Sequence, residues 1–114
     1  MTDEELREQR VRAAHNQAVF REVNERVEEL HDQLASRGTA EFVCECADAT
    51  CAQQITVALA TYERVRNDPH LFFVAPGHVR PEIEHVDEEA EGFVIVRKDD
   101  PTSARVAEQT DPRS

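Results

Sequence analysis

The stretch EFVCECADATCAQQITV, residues 41–57, decides how this chain is read. It holds all three cysteines, Cys44, Cys46 and Cys51, in a C-x-C-x4-C spacing. Three thiols cannot all pair with one another, so something else must complete the set. The flanks are extended in character. Phe42 and Val43 are core candidates, and Ile55–Val57 is a short β-branched strand. Between them lies a loop tight enough to fold around a metal ion.

Structural zinc takes four tetrahedral ligands, mostly Cys sulfur and His nitrogen. The fourth must come from His15, His31, His70, His78 or His85. His15 and His31 fall on a helical segment, His70 follows Pro69 at a helix end, and His85 sits in a run of carboxylates. His78 ends the turn APGH, where Pro76 fixes φ and Gly77 permits a tight backbone. Cys44, Cys46, Cys51 and His78 are therefore the expected Cys3His zinc site. Three readings compete with it: small core-filling cysteines, a thiol switch, and an iron–sulfur cluster with an unusual fourth ligand. Core-filling thiols would drag Glu45 and Asp48 inward, which is costly for unpaired charge. A surface metal loop accommodates both.

Outward from the cysteines, the expected class is α+β. Residues 1–36 form a long N-terminal helix, 37–98 a small metal-binding body, and 99–114 a disordered tail. Residues 3–35 contain neither Gly nor Pro. Thr2 or Asp3 can cap that helix, Glu4 and Glu5 complement its dipole, and Gly38 stops it. Leu6, Gln9, Ala13, Asn16, Phe20, Val23, Val27, Leu30 and Leu34 form a heptad stripe, apolar from Phe20 onward. A continuous helix would span about 50 Å and overhang a body of about 60 residues. Its C-terminal half is expected to be buried. Its N-terminal half, with Leu6, Ala13, Asn16 and Phe20, is expected to bind a protein partner or a second copy.

In the body, Leu59, Tyr62 and Val65 have helical spacing, with Pro69 preventing continuation. Tyr62 is expected in the core, and Arg64 and Arg66 at the surface. Leu71–Val74 reads as a strand. Residues 81–98 read as a β-hairpin turning near Ala90–Gly92, with Phe93–Val96 its apolar arm. Glu82, Glu84, Asp87, Glu88, Glu89 and Glu91 read as its solvated face. The tail carries two prolines in polar surroundings.

The blocks NQAVFREVNERVEEL, FVCECADATC, ITVALATYERVRNDPHLFFVAPGH and GFVIVRK together resemble a family of small, uncharacterised bacterial proteins. That family shares a C-E-C-x4-C cluster, an E-Y-E-x-V-R-like helix and a P-G-H turn. The resemblance covers Asn16–Lys98. The chain departs from it at Thr61, where the first glutamate would stand. What it implies is a shared architecture and the grouping of Cys44, Cys46, Cys51 and His78. It carries no activity.

The net charge is −11, from 24 acidic and 13 basic residues. That balance opposes nucleic-acid and anionic-membrane partners, which need a Lys/Arg surface. No apolar run is long enough for a membrane span, and the acidic N-terminus lacks a signal-peptide core. A reducing cytoplasm is the expected setting. No G-x-S-x-G, Walker or H-E-x-x-H pattern gives hydrolase chemistry a foothold. The sequence therefore points to a zinc-stabilised acidic adaptor or regulatory module, not an enzyme. The alternatives are a zinc–thiolate redox sensor and a thiol enzyme with a Cys nucleophile and His78 as base.

Overall fold

The computed structural model describes residues 2–33, 38–46, 48 and 50–113, with only the backbone for 31–33. The order is α1 (Asp3–Gln33), β1 (Thr39–Val43), β2 (Gln54–Ala58), α2 (Leu59–Arg66), β3 (Leu71–Val74), β4 (Glu84–Ala90), β5 (Phe93–Lys98) and α3 (Pro101–Gln109). The class is α+β. The expected helix end, Leu34 and the boundary at residue 36 lie outside the described residues.

Two small antiparallel sheets form the body. β1 pairs with β2, and β5 lies between β3 and β4. Alternation along β1 and β2 turns Ala40, Phe42, Ile55 and Val57 inward. The hairpin turns at Glu91–Gly92, where Gly92 takes a φ of +89°. α2 joins the sheets through Tyr62. Its ring stacks on Phe42 at 4.4 Å and on Phe73 at 5.6 Å, and Phe73 meets Phe93 edge-on. That column is the apolar core.

The segment expected to be a disordered tail instead carries α3. Asp100 caps it, accepting from the Ser103 backbone N–H at 2.9 Å, and Pro101 occupies the first turn. The polar, proline-bearing composition suggests disorder, but Asp100-Pro101 acts as a helix start. α3 turns Ser103, Val106 and Ala107 inward and packs along α1. Arg10 reaches Asp100 at 3.2 Å. The N-terminal half of α1 therefore has a neighbour in its own chain, which covers part of the expected overhang, while residues 2–5 and 7–9 stay exposed.

The stripe on α1 also needs correcting. Val23 and Leu30 are 43% and 56% exposed, and Val19 is exposed too. The buried face is Ala14, Gln17, Arg21, Asn24 and Glu25. This helix turns its polar face to the body and much of its apolar stripe to solvent. The reason lies in what it meets: an unpaired strand edge, free carbonyls and two buried carboxylates, all of which need polar partners. Among the described residues of the stripe, only Val27, partly buried, packs against the core cluster.

Candidate metal centre

β1 runs straight into the cysteines. In extended chain, alternate residues face opposite ways, which sets Cys44 and Cys46 on one side and Glu45 on the other. Glu45 anchors the segment to β3. Its backbone N–H donates to Phe73 O at 2.7 Å, and its Oε1 accepts from the Phe73 N–H at 2.9 Å. The Cys44 N–H donates to Gln53 O at 2.8 Å and closes the loop. Within it, Asp48 Oδ1 accepts from the Thr50 N–H and hydroxyl at 2.9 and 2.7 Å. The Cys51 N–H donates to Asp48 O at 3.0 Å, which brings Cys51 back beside the first two thiols.

His78 arrives from the end of β3. Its N–H donates to Ala75 O at 3.0 Å, with Pro76 and Gly77 between them and Gly77 at a φ of +85°. Pro then a positive-φ residue is the pattern of a type II turn, and a side chain at Gly77 would be strained.

The ligand atoms of Cys44, Cys46, Cys51 and His78 all lie within 4.8 Å of one another. His78 Nδ1 is 3.5 Å from Cys44 Sγ and 3.7 Å from Cys51 Sγ. Metal bonds of about 2.3 Å to sulfur and 2.0–2.1 Å to nitrogen give a tetrahedral S···N edge of about 3.6 Å. The arrangement thus fits one ion with four ligands, and these residues can hold a metal.

The surroundings favour thiolates only when a cation is present. Burial pushes Cys44 up to about 12 and also raises Cys46. Without a cation these sulfurs keep their protons, so a metal must displace them on binding. The Ala75 N–H already points at Cys44 Sγ, 3.1 Å away. A cleft of about 200 Å³ opens beside the cluster between Cys46, Asp48, Gly77, His78 and Arg80.

Two of the other histidines have separate partners. His70 Nε2 lies 2.7 Å from Glu108, and His85 Nδ1 lies 3.1 Å from Asp99. His15 is exposed on α1, and the side chain of His31 lies outside the described residues.

Glu45 is the residue the sequence reading misplaced. It is fully buried, not a solvated loop carboxylate. Oε1 also accepts from Arg66 Nη2 at 2.9 Å, and Oε2 from Asn24 Nδ2 at 2.7 Å. Asn24 in turn accepts from the Val43 N–H and donates to Val43 O, both at 2.7 Å, capping the free edge of β1. Arg66, expected at the surface, is 3% exposed and lies over the rings of Tyr62, Phe72 and Phe73. Cys44 and Cys46 are thus positioned by a carboxylate whose own partners sit on α1 and α2. Strand alternation could have found it, since a residue between two inward cysteines must face the opposite layer.

Glu84 departs from its acidic run in the same way. It is buried, with Lys98 Nζ at 2.6 Å and Gln17 Nε2 at 2.9 Å. Leu6, Ala13, Asn16 and Phe20, expected at a partner surface, are all partly buried. Among the described residues, no helix is long and apolar enough to cross a membrane. Comparison with protein families, curated proteins and solved structures finds no match.

Proposed function

We propose that this chain is a zinc-stabilised acidic adaptor or regulatory module that binds a protein partner, or itself, through α1. The observation that carries the metal reading is the convergence of four ligand atoms from two separate turns. Three sulfurs and one imidazole suit zinc, whose preferred shell is tetrahedral. Cys44 and Cys46 ligands would tie the end of β1 to the turn after β3, joining the two small sheets. A body this small gains much of its stability from such a staple. Four protein ligands leave no open position for a substrate, so the reading is not an enzyme. Free thiols held ready for a cation fit a reducing, cytoplasmic setting. What supports the partner role is the outer face of α1, where Val19, Val23 and Leu30 are exposed.

Metal analysis of chelator-free protein should give about one zinc per chain. Cys44→Ser, Cys46→Ser, Cys51→Ser and His78→Ala should each lose metal and lower Tm, while His70→Ala and His85→Ala should not. Metal-free protein with an unchanged melting curve would end the zinc reading. Stoichiometric zinc in His78→Ala would remove His78 from the site.

A further inference from the structure

The four ligands are not equally protected. Cys44 and Cys46 are 1% and 2% exposed, whereas Cys51 is partly exposed at the rim. The second difference is hydrogen bonding. The backbone N–H of Ala75 donates to Cys44 Sγ at 3.1 Å. An N–H···S bond spreads thiolate charge and weakens the sulfur as a nucleophile, and access governs which thiolate reacts first. Access singles out Cys51 as the thiol that reacts first, and the Ala75 N–H on Cys44 leaves Cys46 the freer second sulfur. The sulfurs of Cys51 and Cys46 lie within 4.8 Å of each other, so a second sulfur stands ready.

From this geometry we infer that Cys51 is the site of oxidative modification by a hydroperoxide, with Cys46 as its resolving thiol. The inference rests on the zinc reading above and adds to it a defined point of failure. The Cys51 thiolate attacks one peroxide oxygen, the O–O bond breaks, and hydroxide or alkoxide leaves. Cys51 is then a sulfenic acid. The Cys46 thiolate attacks that sulfur, an S–S bond forms, and a second hydroxide leaves. Two thiolates have together supplied the two electrons that reduce the peroxide. The disulfide removes two ligands at once, and the remaining Cys44 and His78 cannot retain the ion. Release frees the Cys51 side chain, which otherwise packs against the core.

The test uses full-length protein whose zinc content is measured first. Hydrogen peroxide is added at a sub-stoichiometric level, free thiols are alkylated, and the protein is denatured and cut after glutamate. Cleavage after Glu41, Glu45 and Glu63 separates Cys44, on residues 42–45, from Cys46 and Cys51, on residues 46–63. The expected product is the 46–63 peptide two hydrogens lighter and unalkylated, with Cys44 fully alkylated and zinc released in parallel. In a companion assay without peroxide, limited N-ethylmaleimide should label Cys51 at least about tenfold faster than Cys44. Zinc-loaded protein that cross-links the two peptides, or that labels Cys44 first, overturns this inference and leaves the zinc reading intact. Protein that contains no zinc before peroxide overturns the zinc reading and this inference with it. Neither assay needs a variant that might fail to fold.

Discussion

The body and the long helix are held by opposite chemistries. Inside the body, Phe42, Tyr62, Phe73 and Phe93 make an apolar column. Where α1 meets the body, the buried contacts are Gln17 to Glu84, Asn24 to Val43 and Glu45, and Glu25 to Tyr62. Arg21 lies over Phe72 at 4.5 Å and donates to the carbonyls of Pro69 and Ala107 at 2.6 and 2.7 Å. Three cations, Arg21, Arg66 and Lys98, are buried with three carboxylates, Glu25, Glu45 and Glu84. The two regions should fail differently. An apolar core degrades by lost volume, and a repacked neighbour can fill part of the gap. A polar seam degrades by orphaned charge, which no neighbour can fill.

The largest expected effect of a seam substitution is therefore at Glu45. Glu45→Ala leaves Arg66 buried without its carboxylate and frees the Phe73 N–H. It should cost about 3–5 kcal/mol in urea unfolding. Metal content should fall with it, since Glu45 also sets the facing of Cys44 and Cys46. A loss under 1 kcal/mol would show that the seam is decorative and that packing alone seats α1. Next comes Asn24→Ala, which uncovers both polar groups of Val43 at the edge of β1. The expected cost is about 1–3 kcal/mol. Asn24→Asp restores size but not the donor to Val43 O, so it should recover little of the loss.

These two regions differ just as much in how far the sequence discloses them. Four of the five strands were legible in their own residues, β1 and β2 by the apolar Phe42 and Ile55–Val57 and β3 and β5 as the apolar runs Leu71–Val74 and Phe93–Val96, while the acidic β4 was legible only as the other arm of the hairpin. The convergence of Cys44, Cys46, Cys51 and His78 was legible for a related reason: clustered thiols, and a His fixed by a Pro-Gly turn, are the residue types that could hold a metal. The seating of α1 was not. Periodicity detects an apolar stripe and assigns it to the interior, but here the inward residues are Gln17, Arg21 and Asn24. Their partners, such as the open edge of β1 and the carbonyls of Pro69 and Ala107, exist only once the body has folded. α3 was lost to composition, since its cap and proline also resemble a disordered segment.

A smaller effect, with a pH signature, is expected at Arg113. Its guanidinium meets Glu25 at 2.6 Å and Glu63 at 3.0 Å, and lies 3.9 Å from Glu28, with the Tyr62 hydroxyl on the far side of Glu25. A hydrogen bond with Glu63, then burial and the Glu63 charge, raise Glu28 to about 7. A carboxyl raised on folding stabilises fully below its unfolded pKa, and that stabilisation is lost as pH rises through about 7. Arg113 opposes the rise by neutralising the cluster once it ionises. Arg113→Ala should thus lower stability at pH 6, where its contacts to Glu25 and Glu63 are lost, and by up to about 1 kcal/mol more at pH 8, where Glu28 also ionises. Equal losses at both pH values would mean that the guanidinium does not offset the Glu28 charge.

The smallest expected effect on stability is the one the heptad stripe would rank among the largest. Leu30 belongs to that stripe, and a buried position there would make Leu30→Asp unfold the chain. It is instead 56% exposed, so the added carboxylate stays in water and orphans nothing. Its transfer cost should be within about 0.5 kcal/mol, as for other surface changes. Val27→Asp, three residues earlier and packed against the core, should cost at least about 2 kcal/mol by the same test. The pair reads the orientation of α1 directly: one residue of the stripe faces in and its neighbour faces out. Sedimentation of Leu30→Asp and wild-type protein over a range of concentrations adds the functional half. If α1 joins two copies through its outer face, the variant should keep its fold and lose self-association. If wild-type protein is a monomer throughout, the partner must be a different protein. If Leu30→Asp unfolds while Val27→Asp does not, α1 is seated by its apolar stripe after all, and the polar seam is misassigned.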